Sequence, residues 1–245
     1  MKPSPELFIG TSGWSYDHWR GPFYPRDLPH ERRLAHYVRC LNSTEINNSF
    51  YHLPSKKALE VWRNAAPRGF VFAAKASRYI THMKKLKDPA VGVARFLERM
   101  SILREELGPI LFQLPPHWRF NGDRLQAFLT CLSHDFRYAF ELRDKTWLND
   151  QAYELLSRHE AAFCIYELDG FVSPKEITTD FVYIRLHGPA GPYQGSYATQ
   201  TLTGWAGAIS TWQKQGLTVY CYFDNDQAGY AVRNAIELRD MLQRG

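Results

Sequence analysis

No apolar run in this chain of 245 residues approaches the ~18 residues of a membrane span, so a hydrophobic helical anchor is not expected. The opening MKPSPELFIG lacks a signal-peptide pattern because Pro3, Pro5 and Glu6 interrupt it, and a cytoplasmic location is the expectation. Cysteine is scarce. The four residues Cys40, Cys131, Cys164 and Cys221 form no CxxC pair, which removes local support for a zinc or iron–sulfur site and leaves reduced structural thiols. No Gly/Ser linker, low-complexity tract or strong sequence repeat divides the chain, so one domain over residues 1–245 is expected. A Gly-rich dinucleotide fingerprint is missing after the first apolar run, which counts against an open doubly wound sheet. The GTSGW stretch lacks the GxSxG spacing that would make Ser12 a nucleophile on an elbow, and its glycines read as a tight turn.

What is present is an alternation. Short runs rich in β-branched and aromatic residues occur at Leu7–Thr11, Leu41–Asn47, Phe70–Lys75, Ile110–Leu114, Tyr138–Leu142, Phe163–Leu168, Phe181–Leu186 and Val219–Phe223. Helical periodicity fills the segments Arg33–Leu41, Lys56–Ala65, Ala90–Leu107, Arg124–Leu132, Asn149–Arg158, Leu202–Lys214 and Ala228–Leu242. Eight buried strands alternating with helices predict a parallel (β/α)8 barrel of the TIM type, and the chain has its usual length of roughly 250 residues. One unit is incomplete. Between the sixth and seventh runs, GFVSPKEITTD is too short and broken for a full helix.

Polar residues interrupt these runs near their carboxyl ends, where barrel enzymes place their chemistry. Strand alternation puts Lys75 on the face of Val71 and Ala73, Gln113 after Leu111, Glu141 after Ala139 with Arg143 beyond it, and Arg185 and His187 after Tyr183. Glu45 falls between Ser43 and Asn47, and Asp224, followed by Asn225, comes after Tyr220 and Tyr222. A charge inside a barrel is costly unless paired, so Glu141 with Arg143, or Glu45 with Lys75, also reads as a purely structural pair. Trp14, Tyr16, Trp19, Phe23, Tyr24, Tyr51, Trp147, Tyr193 and Tyr197 follow strands and could ring a pocket or pack the loops against each other. His82 and His52 could reach its rim from loops.

The stretches GTSGWSYDHWRGPFYP, STEINNSFYHLP, FAAKASRYITH, GPILFQLPP, AFELRDKTW, YIRLHGPAGPYQGSY and YCYFDNDQAGYAVRNA together resemble the YecE-like family, a domain of unknown function with a barrel fold. The likeness runs from about Phe8 to Leu242 and implies the barrel and its single-domain organisation, with no reaction to carry over.

The residues therefore have to supply the chemistry. The leading expectation is a metal-independent, hydrolase- or lyase-like enzyme for a small anionic, phosphorylated or sugar- or nucleotide-like substrate. Glu141, Lys75, Glu45 and His187 form its catalytic set, with Glu141 as general acid or base. Arg185, Gln113, Arg143, Asn47, Trp14, Tyr51, Tyr193, Tyr222, Asp224 and Asn225 form its substrate-binding set. Backbone N–H groups near Gly188, Gly191 and Gly195, with the start of the last helix beyond Asp226, offer a phosphate cradle. Three alternatives stay open: a carbohydrate-active pocket using Glu45 and Glu141, a divalent-metal site of Glu45, Glu141, His187 and Asp224, and a nucleic-acid or nucleotide-binding module. The net charge of +5 permits that last partner. No cofactor and no membrane contact are expected, and the oligomeric state is not legible.

Overall fold

The computed structural model describes residues 5–244. Its strands are β1 (Leu7–Thr11), β2 (Ser43–Ile46), β3 (Val71–Lys75), β4 (Leu107–Leu114), β5 (Tyr138–Leu142), β6 (Ala162–Leu168), β7 (Phe171–Val172), β8 (Phe181–Leu186) and β9 (Thr218–Phe223). The α-helices are α1 (Arg33–Tyr37), α2 (Lys56–Ala65), α3 (Pro89–Met100), α4 (Gly122–Thr130), α5 (Asp150–Arg158), α6 (Thr199–Lys214) and α7 (Tyr230–Arg244). All strands but β7 pair in parallel, in the order β1-β9-β8-β6-β5-β4-β3-β2, which is a nearly closed (β/α)8-type barrel. The short β7 turns back antiparallel on β6 where the eighth helix is missing. Side-chain caps start α2, α4 and α5: Ser55, Asn121 and Asn149 each accept the backbone N–H three residues on. Among the described residues no helix is long and apolar enough to cross a membrane.

The seam between β1 and β2 is closed by side chains. Backbone pairing there is limited to the bridge from Ser12 to Glu45, with the Gly13 N–H donating to the Glu45 carbonyl at 2.8 Å. Below it, Asn42 imitates a strand residue: its Oδ1 accepts from the Ile9 N–H (3.0 Å) and its Nδ2 donates to the Leu7 carbonyl (2.7 Å). The Tyr37 hydroxyl accepts from the Thr11 N–H (2.9 Å) and donates to the Ser43 carbonyl (3.0 Å). This is why β2 begins at Ser43 and not at Leu41, as the apolar pattern predicts. It ends before Asn47 because that residue turns to helical angles (φ −91°, ψ −29°).

Such a tight seam needs Gly10, where a Cβ would stand 1.9 Å from the Ser43 carbonyl oxygen. Gly10→Ala is expected to cost about 1–3 kcal/mol of stability through backbone displacement. The effect should appear as a lower urea midpoint at unchanged slope. A wild-type midpoint would mean the two strands do not approach so closely.

Two apolar layers follow from strand alternation. Outward side chains such as Phe72, Phe112, Phe140 and Ile184 join the helices in the main core, while Phe8, Ala73, Leu111, Ala139, Ala162, Cys164, Phe181, Tyr183, Tyr220 and Tyr222 fill the barrel. The filling is lopsided. Alanines from β3, β5 and β6 leave room that the rings of β1, β8 and β9 occupy, with Phe8 stacked on Tyr220 at 5.0 Å. This plug floors the barrel, so the polar residues one step further along the strands gather above it.

Candidate active site

Those residues meet around one guanidinium. Arg185, fully buried, donates from Nη1 to Glu141 Oε2 (2.7 Å), and from Nη2 to Glu45 Oε1 (2.7 Å), Asp224 Oδ2 (3.0 Å) and Ser12 Oγ (3.0 Å). Glu45 receives further donors from Ser12 Oγ on Oε1 and from the Tyr183 hydroxyl on Oε2 (2.7 Å). Glu141 Oε1 accepts from Gln113 Nε2 (3.0 Å) and Arg143 Nε. The His187 ring spans two carboxylates, with Nδ1 3.0 Å from Asp224 Oδ2 and Nε2 3.2 Å from Glu141 Oε1. Arg143 Nη2 lies 3.1 Å from the same Nε2, so that nitrogen has a partner whether it carries a proton or accepts one.

This geometry assigns charge. Burial alone would raise the Glu141 carboxyl, but Arg143, Arg185 and His187 outweigh it and hold it well below the usual carboxylate range. With three donors and the His187 ring on its two oxygens, Glu141 is a fixed anion rather than the proton carrier the strand pattern suggests. Asp224 is likewise held low, burial being overcome by Arg185 and His187. Glu45 and Glu141 grip opposite ends of one guanidinium, so they face Arg185 and not each other across a space for a sugar. The same guanidinium stands among Glu45, Glu141 and Asp224, where the sequence allows a metal. Among the described residues no group of three or more His, Cys, Asp or Glu side chains is arranged to hold a metal ion.

Lys75 differs from every other cation here. It is only 6% exposed, yet among the described residues its Nζ has no hydrogen bond and no ion pair; it sits 4.3 Å from the Phe50 ring centroid. Burial chiefly, and the charge of Arg185 next, bring its pKa down from 10.5 to about 8 despite Asp224, Glu45 and Glu141. His82, half-buried in the short π-helical turn Tyr79–Met83 after β3, is lowered to about 4 by burial and by the positive charges of Lys75, Arg78 and Arg143. The rim on this side therefore carries a neutral imidazole inside a cationic field. Lys75, Gln113, Asp224 and Arg143 keep a little exposure, whereas Glu45, Glu141, Arg185 and His187 are fully buried.

A groove of about 650 Å³ runs between the loop after β1 and α2, lined by Trp14, Tyr16, His30, Asn47, Lys57 and Trp62 among others. Asn47 Oδ1 is buried without a hydrogen-bond partner. Trp14 packs edge-on against Trp62, with ring centroids 5.0 Å apart.

Other expected site residues lie elsewhere. Tyr222 is buried in the barrel floor with its hydroxyl 2.7 Å from Ser43 Oγ. Asn225 supports a loop, donating to the Gly195 carbonyl (2.8 Å) and Asn234 Oδ1 (2.9 Å). Tyr51 and Tyr193 are exposed, and Tyr193 stands edge-on to His187 at 5.7 Å. Trp19, Tyr24, Trp147 and Tyr197 are buried among the loops and form no rim. The Gly188 N–H donates to the Tyr197 hydroxyl and the Gly195 N–H to Gln227 Oε1, so two of the groups expected to cradle phosphate are already engaged. Ser12 and Tyr183, which complete the Glu45 shell, are missing from the expected set although both lie on inward positions of their strands. Arg78 gives no signal in a strand pattern because it caps the π-helical turn Tyr79–Met83 beyond β3.

The loops after β1 and β9 are tied together at Asp226, whose Oδ1 accepts from Trp19 Nε1 (2.5 Å) and whose Oδ2 lies 3.1 Å from His18 Nε2. Burial, resisted by these donors, pushes this carboxyl up to about 6 from 3.8. A raised folded-state pKa contributes stability that is complete below about 4 and is lost as pH rises through about 6. Asp226→Asn should abolish that decline between pH 4 and 6 in urea unfolding. A variant with the wild-type pH profile would assign the decline to another group.

The sequence model described as "Protein of unknown function DUF72" matches residues 8–245. UPF0759 protein YunF of Bacillus subtilis (strain 168) is 24% identical over 270 aligned positions, covering 96% of this chain and 94% of that protein. UPF0759 protein YecE of Escherichia coli (strain K12) is 31% identical over 140 positions, covering 56% of this chain and 48% of that protein. Among solved structures, a DUF72 family protein from Thermotoga maritima superposes with a TM-score of 0.86 at 26% identity, covering 97% of this chain and 99% of that one.

Proposed function

Because the chain belongs to the DUF72 family, whose description states no reaction, its chemistry has to be read from the barrel mouth, and we propose an enzyme active site there. It acts on a small anionic substrate without a bound metal, in hydrolase- or lyase-like chemistry. The observation that carries this reading is Lys75: a nearly buried cation left without a counter-ion while Glu45, Glu141 and Asp224 are all committed to Arg185 and its neighbours. A fold selected for stability alone gains nothing from such a residue, since an unpaired buried charge is a cost.

In this reading Lys75 and Arg143 meet the negative group of the substrate, and Gln113 offers its carbonyl oxygen, its Nε2 being spent on Glu141. Lys75, with its pKa near 8, is also the group placed to exchange a proton close to neutral pH. The carboxylates and His187 hold Arg143 and Arg185 in one geometry, so the site requires little rearrangement when substrate binds. The rest of the substrate has space in the groove between the loop after β1 and α2, where the packed Trp14–Trp62 pair forms part of the wall.

The test is turnover in a metabolite pool followed by mass spectrometry, comparing wild type with Lys75→Met and Glu141→Gln. Wild type should consume a small anionic compound that Lys75→Met leaves untouched, and Glu141→Gln should be slower because Arg143 and His187 lose their fixed anion. Equal turnover by all three proteins sinks the reading.

A further inference from the structure

We infer that Lys75 is a covalent amine, whose Nζ adds to the carbonyl carbon of an aldehyde or ketone that also bears a carboxylate or phosphate. The inference rests on the anionic-substrate reading above and names the substrate class and the bond formed.

Three features of the geometry carry it. Lys75 ends β3 at the mouth and is 6% exposed, so a small molecule can reach Nζ while bulk water is mostly kept away. Its Nζ lies over the Phe50 ring at 4.3 Å rather than on a carboxylate, so no ion pair or hydrogen bond holds its proton or occupies its lone pair. Arg185 supplies a second positive charge nearby, which further disfavours protonation. A lysine serving only as an anchor for an anion would be better placed on a carboxylate-free but open rim, as Arg78 is. Of the two cations that meet the negative group in that reading, Arg143 holds it while Lys75 bonds the adjoining carbonyl carbon.

The step balances without oxidant or reductant. The amine lone pair forms the C–N bond as the carbonyl π pair moves onto oxygen. Oxygen takes up a proton and nitrogen gives one up, which yields the carbinolamine. Loss of that hydroxyl as water, with the remaining N–H proton, leaves the imine: one amine and one carbonyl become one C=N bond and one water.

The experiment is reductive trapping with sodium cyanoborohydride on the full chain. Pyruvate serves as the carboxylate arm, dihydroxyacetone phosphate as the phosphate arm and acetone as the uncharged control. Intact mass and peptide mapping should find one reduced adduct on Lys75, formed at least tenfold faster than at any other lysine with one of the charged arms. It should be slow with acetone and absent in Lys75→Met and Lys75→Arg. Its rate should rise with a midpoint near pH 8, whereas surface lysines react only as pH nears their ordinary range. Labelling spread evenly over the lysines, or unchanged in Lys75→Met, overturns the inference. Thermal melts with inorganic phosphate and acetate separate the two levels. Stabilisation of wild type that Lys75→Met loses, without any trapped adduct, removes the covalent step and keeps the anion site, whereas neither stabilisation nor adduct removes both.

Discussion

Arg185→Met should lose about 3–5 kcal/mol of stability at neutral pH, the penalty for breaking a buried ion network by removing one partner. The size follows from what is left behind: Glu45, Glu141 and Asp224 lie on one side chain, and without it three carboxylates crowd a fully or almost fully buried space. Arg143 and His187 offset part of that repulsion and protonation relieves the rest, so the deficit should shrink as pH falls towards 4. Arg185→Lys keeps the charge but cannot reach three carboxylates from one fork, and should lie between wild type and Arg185→Met. Urea unfolding at pH 7 and pH 5 reads both effects. If Arg185→Met does not fold, the lysine variant still carries the test. A wild-type midpoint for the lysine variant would show that a positive charge at this point is enough and that the three-way geometry is not.

Lys75→Met should move stability in the other direction. Holding this proton at a pKa of about 8 instead of 10.5 costs the folded state roughly 3 kcal/mol, and methionine fills the same space against Phe50 without the charge. Because the folded-state pKa is depressed, the unfolded chain binds the extra proton between pH 8 and 10.5, and wild-type stability rises with pH across that window. The advantage of Lys75→Met is therefore full below pH 8 and vanishes by pH 10.5. A variant that is more stable yet cannot bind or turn over substrate separates a working residue from a structural one. Destabilisation by Lys75→Met at pH 7 would mean that Lys75 has a partner in solution, and the proposed function would lose its main support.

The contrast between these two residues also shows how far a linear reading reaches. Both are found by one rule, a polar side chain two positions after a small or inward-facing one at the carboxyl end of a strand: Ala73 then Lys75, Tyr183 then Arg185. The same rule finds Gln113, Glu141 and Asp224, and it predicts that Phe72 and Phe112 face the helices. It works because side-chain direction in a strand has a period of two and the carboxyl halves of β3, β4, β5, β8 and β9 are regular, the register shift between β3 and β4 falling at Phe72–Ala74, before Lys75 and Gln113. It fails where the chain leaves a strand. His82 lies in the π-helical turn Tyr79–Met83 and Arg78 caps it, and Tyr222 obeys the alternation but stops one layer too deep, in the aromatic floor.

The sequence by itself determined the barrel, the incomplete unit after its sixth strand and the set of side chains at its mouth, because apolar periodicity and alternation are local properties of the chain. Only the tertiary structure decided who pairs with whom. Ser12 and Arg185 are 173 positions apart, Tyr183 and Glu45 138, and no local pattern encodes their contact. The arithmetic of charge in the mouth depends on those contacts. Arg185, which the pattern offers as a substrate ligand, is consumed as the counter-ion of three carboxylates, and Lys75, which it offers equally as a partner for Glu45, is left free. Burial fixes the energetic meaning of that difference, since an ion pair and a lone ammonium written with the same letters differ by several kcal/mol once water is removed.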